Sequence, residues 1–261
     1  MDIALPQDCG LAVSRAGDVV TITLNDPHRR NPQSPATWLA LTKIAEAIPA
    51  EVVAVLITGA GPSFSAGLDR RMFTPAGIPG QESLAHIARL PDGELDISIS
   101  AFQDGFRVLR TIRPITIALV QGHAIGAGFQ LALAADLMVV ADDVDLSMKE
   151  AQLGIVPDLT GTHTLVQALG YSQALELCIT GRSMGAAEAV QRGLAVAAVP
   201  SGDLLATGHR LIDAIRATHG AALDLKPLLL HAQTAEPTSQ HSAERLAQAK
   251  RLRLLLSTLD H

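Results

Sequence analysis

The stretch Ile115-Thr-Ile-Ala-Leu-Val-Gln-Gly-His-Ala-Ile-Gly-Ala-Gly-Phe-Gln130 changes character twice in a short span. Residues 115–120 are apolar or β-branched without alternation, the pattern of a strand buried on both faces of a parallel sheet. Gly122 punctuates the run, and from Gly126 onward small residues open a segment that reads as a helix. Leu137-Met-Val-Val-Ala141 returns to an unbroken apolar run, so the order is strand, helix, strand. Small residues between strand and helix let backbone N–H groups approach a ligand closely. A helix N-terminus carries unpaired N–H groups and partial positive charge, which suits it to hold an oxyanion.

Upstream, residues 52–58, Val-Val-Ala-Val-Leu-Ile-Thr, form a second buried-strand run. Gly59-Ala-Gly-Pro closes it, and Ser63-Phe-Ser-Ala-Gly-Leu-Asp69 follows, again rich in small residues. Donors from these two loops, converging on one point, would make an oxyanion hole; the plainer reading is that the glycines serve turns and helix–sheet packing. Residues 19–24 read as a strand between turn signals, and residues 35–47 as a helix with Trp38, Leu41 and Ile44 on one face. The Pro/Gly-rich segment 74–80 and the mixed stretch to Gln103 read as a lid or binding loop. Beyond Thr160 the pattern is mainly helical, with Gly170, Gly181 and Gly193 expected as C-terminal caps. A last helix over 243–259 carries Leu246, Leu252, Leu255, Leu256 and Leu259. The expected plan is α/β, with a core over 1–200 and a helical section over 201–261.

Composition narrows the partners. The 261 residues are 48% hydrophobic with a net charge of -6, and no long basic tract appears, which argues against nucleic acid. A small anionic ligand needs only a few local cations, for which Arg29, Arg30, Lys250 and Arg253 are candidates. The only cysteines, Cys9 and Cys178, have no neighbours at metal-ligand spacing, so no metal and a reduced, cytoplasmic compartment are expected. The first ten residues lack the basic and apolar regions of a signal peptide. The apolar stretch 124–141 contains Gln130 and Asp136 and reads as buried helix and strand rather than a membrane span.

Four ordered blocks resemble the enoyl-CoA hydratase/isomerase (crotonase) superfamily. Phe64-Ser-Ala-Gly-Leu-Asp69 is similar to its F-x-A-G-x-D signature. The segment from Gly122 through Ala127, Leu131 and Asp136 is similar to its glycine-triplet block. Glu150 to Thr162 and Gly181 to Ala195 match two further blocks in order and spacing. The resemblance implies a crotonase-like (ClpP/crotonase) spiral of β-β-α units. It implies an acyl-CoA substrate, with CoA as part of the substrate and no separate cofactor. It also implies homotrimers, alone or paired as hexamers, with the helical C-terminal section as the trimerisation element. On it, Ala66 and Ala127 supply the oxyanion-hole N–H groups, Ala127 standing where a glycine is usual. Ala66, Gly67, Leu68 and Asp69 line the CoA surface, with Arg29 and Arg30 nearby.

Family hydratases commonly flank a water with two glutamates. The matching positions here are Gln130 and Glu150. A glutamine orients a water but neither takes nor gives its proton, so the two-carboxylate device is incomplete. Asp158 occupies a position that is aspartate in the dienoyl-CoA isomerase branch, and Glu150 with Asp158 could form the working pair. Asp158 is equally well placed by sequence to cap the following helix. One glutamate beside an oxyanion hole suffices to move a proton between the α and γ carbons of a thioester. A binding protein that kept the fold and lost the chemistry is the rival from another class. Two other readings are weaker on the residues. A dinucleotide fingerprint at Gly126-Ala-Gly128 would need its third glycine at Leu131, and a Ser–His pairing of Ser63 or Ser65 with His123 lacks the G-x-S-x-G elbow.

Overall fold

The structure, a computed structural model, describes residues 3–6 and 8–259, with no side-chain description for the last two of these. Part of the N-terminal stretch and the side chain of Leu259 therefore lie outside the described residues.

The chain opens with an antiparallel pair, β1 (Leu11–Ala16) and β2 (Val19–Leu24), followed by a 3-10 turn at Pro27–Arg29. Next come β3 (Pro32–Gln33), α1 (Pro35–Glu46), β4 (Ala54–Gly59), β5 (Gly67–Leu68), α2 (Leu84–Ile87) and α3 (Asp92–Thr111). The middle of the chain forms β6 (Ile115–Val120), β7 (His123–Ile125), α4 (Ala127–Ala134), β8 (Leu137–Ala141) and β9 (Asp145–Ser147). The remainder is α5 (Gly161–Leu169), α6 (Tyr171–Thr180), α7 (Ala186–Gln191), β10 (Ala197–Val199), α8 (Leu204–Ala217), α9 (Ala221–Ala232) and α10 (Pro237–Leu259).

The main sheet has the order β1-β2-β4-β6-β8-β10 and is parallel except at β1–β2. Each of β2, β4, β6 and β8 is followed by a short strand in a second layer, where β3 pairs with β5 and β7 with β9. A bridge between Ser65 and Ala124 joins those two pairs. The succession is the expected spiral of β-β-α units.

The unbroken apolar runs are explained by two cores. Val55, Ile57, Ala118, Val120, Met138 and Val140 face one core, with Trp38, Phe64, Phe106 and Phe129. Ala54, Leu56, Ile117, Leu119, Val139 and Ala141 face the other, with Leu204, Ile212 and Leu223. Strands buried on both faces need no polar alternation. Helices α8 and α9 cover the second face, so residues beyond position 200 contribute Leu204, Ile212 and Leu223 to this core. Lys226 of α9 is anchored there. Its Nζ lies 2.7 Å from Asp136 Oδ2 and donates to the carbonyls of Pro114 (2.9 Å) and Leu109 (3.4 Å).

One local expectation is corrected. The stretch read as a loop up to Gln103 is helical from Asp92, because Pro91 starts α3 and Asp92 and Glu94 favour its positive end. This helix buries Phe102 and Phe106 against α1, with the Trp38 and Phe102 ring centroids 5.2 Å apart. Gly170 is the C-terminal cap of α5, as expected, with its N–H donating to the Val166 carbonyl. It sits at φ 76, ψ 161, since α6 begins at the next residue and Gly170 also serves as that helix's N-cap. Gly181 is the expected left-handed cap at φ 57, ψ 24. Among the described residues no helix is long and apolar enough to cross a membrane.

Candidate active site

Two loops meet where β4 and β6 end. Ser65 N–H donates to the His123 carbonyl (2.8 Å), and Ile125 N–H donates to the Ser65 carbonyl (3.0 Å). The contact is backbone on backbone. A Cβ on Gly67, which has φ 85, would stand 2.4 Å from the Ile125 carbonyl oxygen and 3.5 Å from the Ala127 nitrogen. Ser63 Oγ and His123 Nδ1 lie 3.1 Å apart, but Ser63 is buried and the pair ties the loops together rather than presenting a nucleophile.

Ala127 is the first residue of α4 and has ordinary helical backbone; the unusual φ of 53 falls on Gly126 before it. A methyl group is therefore accommodated at this position. Its N–H has no acceptor among the described residues, as expected at a helix start. Ala66 differs from expectation. Its N–H donates to the Arg30 carbonyl at 2.7 Å and is not free in this conformation. That carbonyl is presented by a turn in which Arg30 (φ 60) and Asn31 (φ 54) are both left-handed. The turn is held by Asn31 Nδ2, which donates to the carbonyls of Ala60 (2.9 Å), Ser63 (2.8 Å) and Phe64 (3.2 Å).

Glu150 follows β9 and is only 6% exposed. A Cβ on Gly126 would lie 3.2 Å from its Oε1, so the carboxyl group rests against the turn that starts α4. Gln130, 1% exposed, donates from Nε2 to Glu150 Oε1 at 2.8 Å. Its Oε1 accepts from the N–H groups of Leu159 (2.9 Å) and Gly161 (3.3 Å). Both lone pairs of that oxygen are occupied, so a water held at Gln130 would be met by the second N–H of its amide rather than by its carbonyl. Glu150 Oε2 is buried without a partner among the described residues. Burial pushes the Glu150 carboxyl above its ordinary range and the Asp158 charge adds to this, while backbone N–H groups at Glu150 and Lys149 and the Gln130 hydrogen bond work the other way.

Asp158 is half-buried, and burial raises its carboxyl as well. It does not cap α5, whose N-cap is Thr160, without a side-chain cap bond. Gln103 of α3 donates to the Asp158 backbone carbonyl at 2.7 Å and ties this loop to the helix above it.

The cations divide unevenly. Arg29 Nη1 contacts Asp69 Oδ2 at 2.6 Å and also pairs with Asp26. Arg71, not anticipated from sequence, chelates the same Asp69 through Nε (3.1 Å) and Nη2 (2.7 Å). Burial disfavours the Asp69 charge, but hydrogen bonds from Arg71 and Arg29 outweigh it and hold the carboxyl at about 2. Arg30 and Arg70 are exposed beside this group. The position of Arg71 two residues past the F-x-A-G-x-D block was the available signal. Lys250 is committed to Asp224 of α9 at 2.8 Å, and Arg253 is exposed on α10. Among the described residues no group of three or more His, Cys, Asp or Glu side chains is arranged to hold a metal ion.

Comparisons with known proteins agree with this architecture. A protein of Thermobifida fusca YX designated an enoyl-CoA hydratase, solved in complex with CoA, superposes with a TM-score of 0.89 and 42% identity over 95% of each chain. The same protein in complex with acetoacetyl-CoA also gives a TM-score of 0.89, over 94% of this chain and 95% of the other. A Thermus thermophilus protein designated an enoyl-CoA hydratase is 35% identical over 218 residues, 82% of this chain and 81% of its own. The carnitinyl-CoA dehydratase of Escherichia coli is 31% identical over 204 residues, 77% of this chain and 72% of its own. The family described as enoyl-CoA hydratase/isomerase matches residues 14–252. With the β-β-α spiral, the paired loops and nearly the whole chain in agreement, this protein belongs to the enoyl-CoA hydratase/isomerase family.

Proposed function

We propose that the protein is an enzyme that binds an enoyl- or acyl-CoA thioester and moves a proton at the carbon next to the carbonyl. The thioester oxygen lies against the free Ala127 N–H, and Ala66 joins as second donor when its N–H exchanges the Arg30 carbonyl for the substrate. Glu150 is the main acid/base. Removing an α-proton leaves an enolate whose oxygen is met by the α4 N-terminus, in a buried site where such stabilisation is strongest. The observation that carries this reading is the buried, unpartnered Glu150 Oε2, held beside the start of α4.

Hydration through two flanking carboxylates is the less favoured form, because Gln130 is not titratable and its carbonyl oxygen is engaged. Double-bond isomerisation needs only one shuttle at Glu150, with Asp158 as a second carboxyl for the far end of the allylic system. The neighbours solved with CoA and acetoacetyl-CoA support the ligand class. Arg29 and Arg71, with Arg30 and Arg70 beside them, are the cations we assign to its phosphates, and Ala66 to Asp69 to its thioester arm. Assembly as a homotrimer, alone or paired as a hexamer, would cover the exposed apolar side chains Val156, Tyr171, Ile179 and Leu246.

The test offers crotonyl-CoA and a 3-enoyl-CoA separately to the protein and to Glu150→Gln. Isomerisation of the 3-enoyl thioester that falls with Glu150→Gln is the expected result. Efficient hydration of crotonyl-CoA that persists in Glu150→Gln would overturn the assignment. The engaged Ala66 N–H favours one second reading, a CoA-binding protein without turnover. It predicts thermal stabilisation by acyl-CoA and no product from either thioester.

A further inference from the structure

Gln130 is the buried polar side chain whose contacts the proposed reaction leaves unexplained. It stands where a second carboxylate would sit, yet its oxygen is taken up by backbone N–H groups and its amide nitrogen donates to Glu150. Three elements converge on it. Its Oε1 sits in a concavity formed by the N–H groups of Leu159 and Gly161, at 2.9 and 3.3 Å. That concavity exists because Thr160, a β-branched residue, adopts φ 68 and turns the flanking N–H groups toward one point. The Gly161 N–H is the first of the nine-residue helix α5, at the positive end of its dipole, and the Leu159 N–H lies one residue before the N-cap Thr160. Its Nε2 points the other way, to Glu150 Oε1 at 2.8 Å. A Cβ on Gly161 would stand 2.7 Å from Gln130 Cγ, so the loop closes on the side chain as tightly as a glycine permits.

We propose that Gln130 is a positioning residue that relays the positive end of α5 to Glu150 Oε1, fixing Oε2 as the proton-accepting atom. This rests on the reading of Glu150 as the base. An amide whose oxygen accepts two N–H bonds is polarised, and its own N–H becomes a stronger donor. That donation favours the charged carboxylate and works against burial, the leading influence on Glu150. The other titratable groups acting on this carboxyl are Asp158, on the loop before α5, which disfavours its charge, and the Cys178 thiol of α6, which feels it. Helix α4 contributes no charged residue, so Gln130 is the means by which it supports the base.

The test titrates Glu150 directly, by carbon-13 NMR of protein labelled at the glutamate carboxyl carbon, with Glu150→Gln identifying the resonance. Gln130→Met keeps the length and apolar volume and removes the relay, so the Glu150 inflection moves to higher pH. Gln130→Glu keeps the contacts to Leu159 and Gly161 but sets a second carboxyl against Glu150 Oε1, so one proton is shared and the inflection also rises. Gln130→Leu, which removes the relay without adding a charge, takes its place if the methionine variant does not fold. In parallel, exchange of the α-protons of butyryl-CoA in D2O is followed against pH. On the acid limb the methionine variant loses about tenfold for each unit by which the inflection rises, and it closes on the parent protein at pH 9. A Glu150 resonance with the same inflection in both variants would overturn the relay, whatever the exchange rates. Absence of exchange in the parent protein, with the resonance shifted, would instead fault the reading of Glu150 as base.

Discussion

Replacing Glu150 by glutamine should make the protein slower and more stable at once. The stability change follows from the environment of Oε2, which is buried and without a donor. Holding a buried polar group unsatisfied costs about 1–3 kcal/mol, and more when it is charged. Glutamine keeps its carbonyl toward Gln130 Nε2 and sets an uncharged amide where Oε2 stood. The group is still unpartnered but no longer charged, so roughly 1 kcal/mol returns, or about 2–4 °C in Tm for a chain of this size. The sign depends on pH in a definite way. The Glu150 carboxyl is raised in the folded state, so the folded protein holds its proton more tightly than the unfolded chain. Its stabilising contribution is complete below the ordinary value of 4.5 and is lost as pH rises through the folded value. The advantage of glutamine should therefore be small at pH 4.5 and largest near pH 8. Catalysis changes oppositely, since loss of a positioned general base costs about 10²–10⁴-fold. The assays are differential scanning fluorimetry at the two pH values and α-proton exchange of butyryl-CoA in D2O. A Tm gain that is equal at both pH values, a Tm loss near pH 8, or an exchange rate within tenfold of the parent would refute the reasoning.

Two further outcomes follow from charged groups elsewhere. Asp69 is held at about 2 against an ordinary 3.8, so it stabilises the fold above roughly pH 4 by about 2 kcal/mol and this is lost as pH falls toward 2. Acid unfolding of Asp69→Asn should lack that limb, and an unchanged profile would show that Arg29 and Arg71 do not hold the carboxylate in solution. Lys226→Met leaves Asp136 and the carbonyls of Leu109 and Pro114 without their cation and should cost about 3–5 kcal/mol in urea unfolding. A cost below 1 kcal/mol would mean that α9 is not anchored there.

The parts of the fold that could be read in advance are those in which burial alone sets the sequence. Strands β4, β6 and β8 lie between two cores, so they carry continuous apolar runs that nothing else explains. Helix α3 was obscured because its first half, Asp-Gly-Glu-Leu-Asp-Ile-Ser-Ile-Ser, has no buried side chain, and only from Phe102 onward does it meet α1. The short strands β3, β5, β7 and β9 have two or three residues each, too few to show a period. In the site, the positions of Ala127, Gln130 and Glu150 were legible from motif spacing. What the side chains do there was not. The engagement of Ala66 by the Arg30 carbonyl depends on two consecutive left-handed residues, neither of them glycine. The orientation of Gln130 depends on Thr160, another left-handed residue that no motif marks.

The spiral also divides the labour of the site among its coils. The first coil brings Arg29 and the Arg30 carbonyl, and the second brings Ala66, Asp69 and Arg71. The third brings Ala127 and Gln130, and the fourth brings Glu150 and the loop carrying Asp158. On the proposed function, grip on a thioester and traffic of its protons would fall largely to different stretches of chain, meeting three positions apart on one helix turn of the third coil. On that proposal, a substitution at position 130 would alter the proton route while the proposed carbonyl grip, phosphate cations and scaffold stayed as they are. Under the proposed function such an arrangement would allow the reaction to change without loss of the substrate, and this one turn of α4 would be the place to begin in redirecting the chemistry by design.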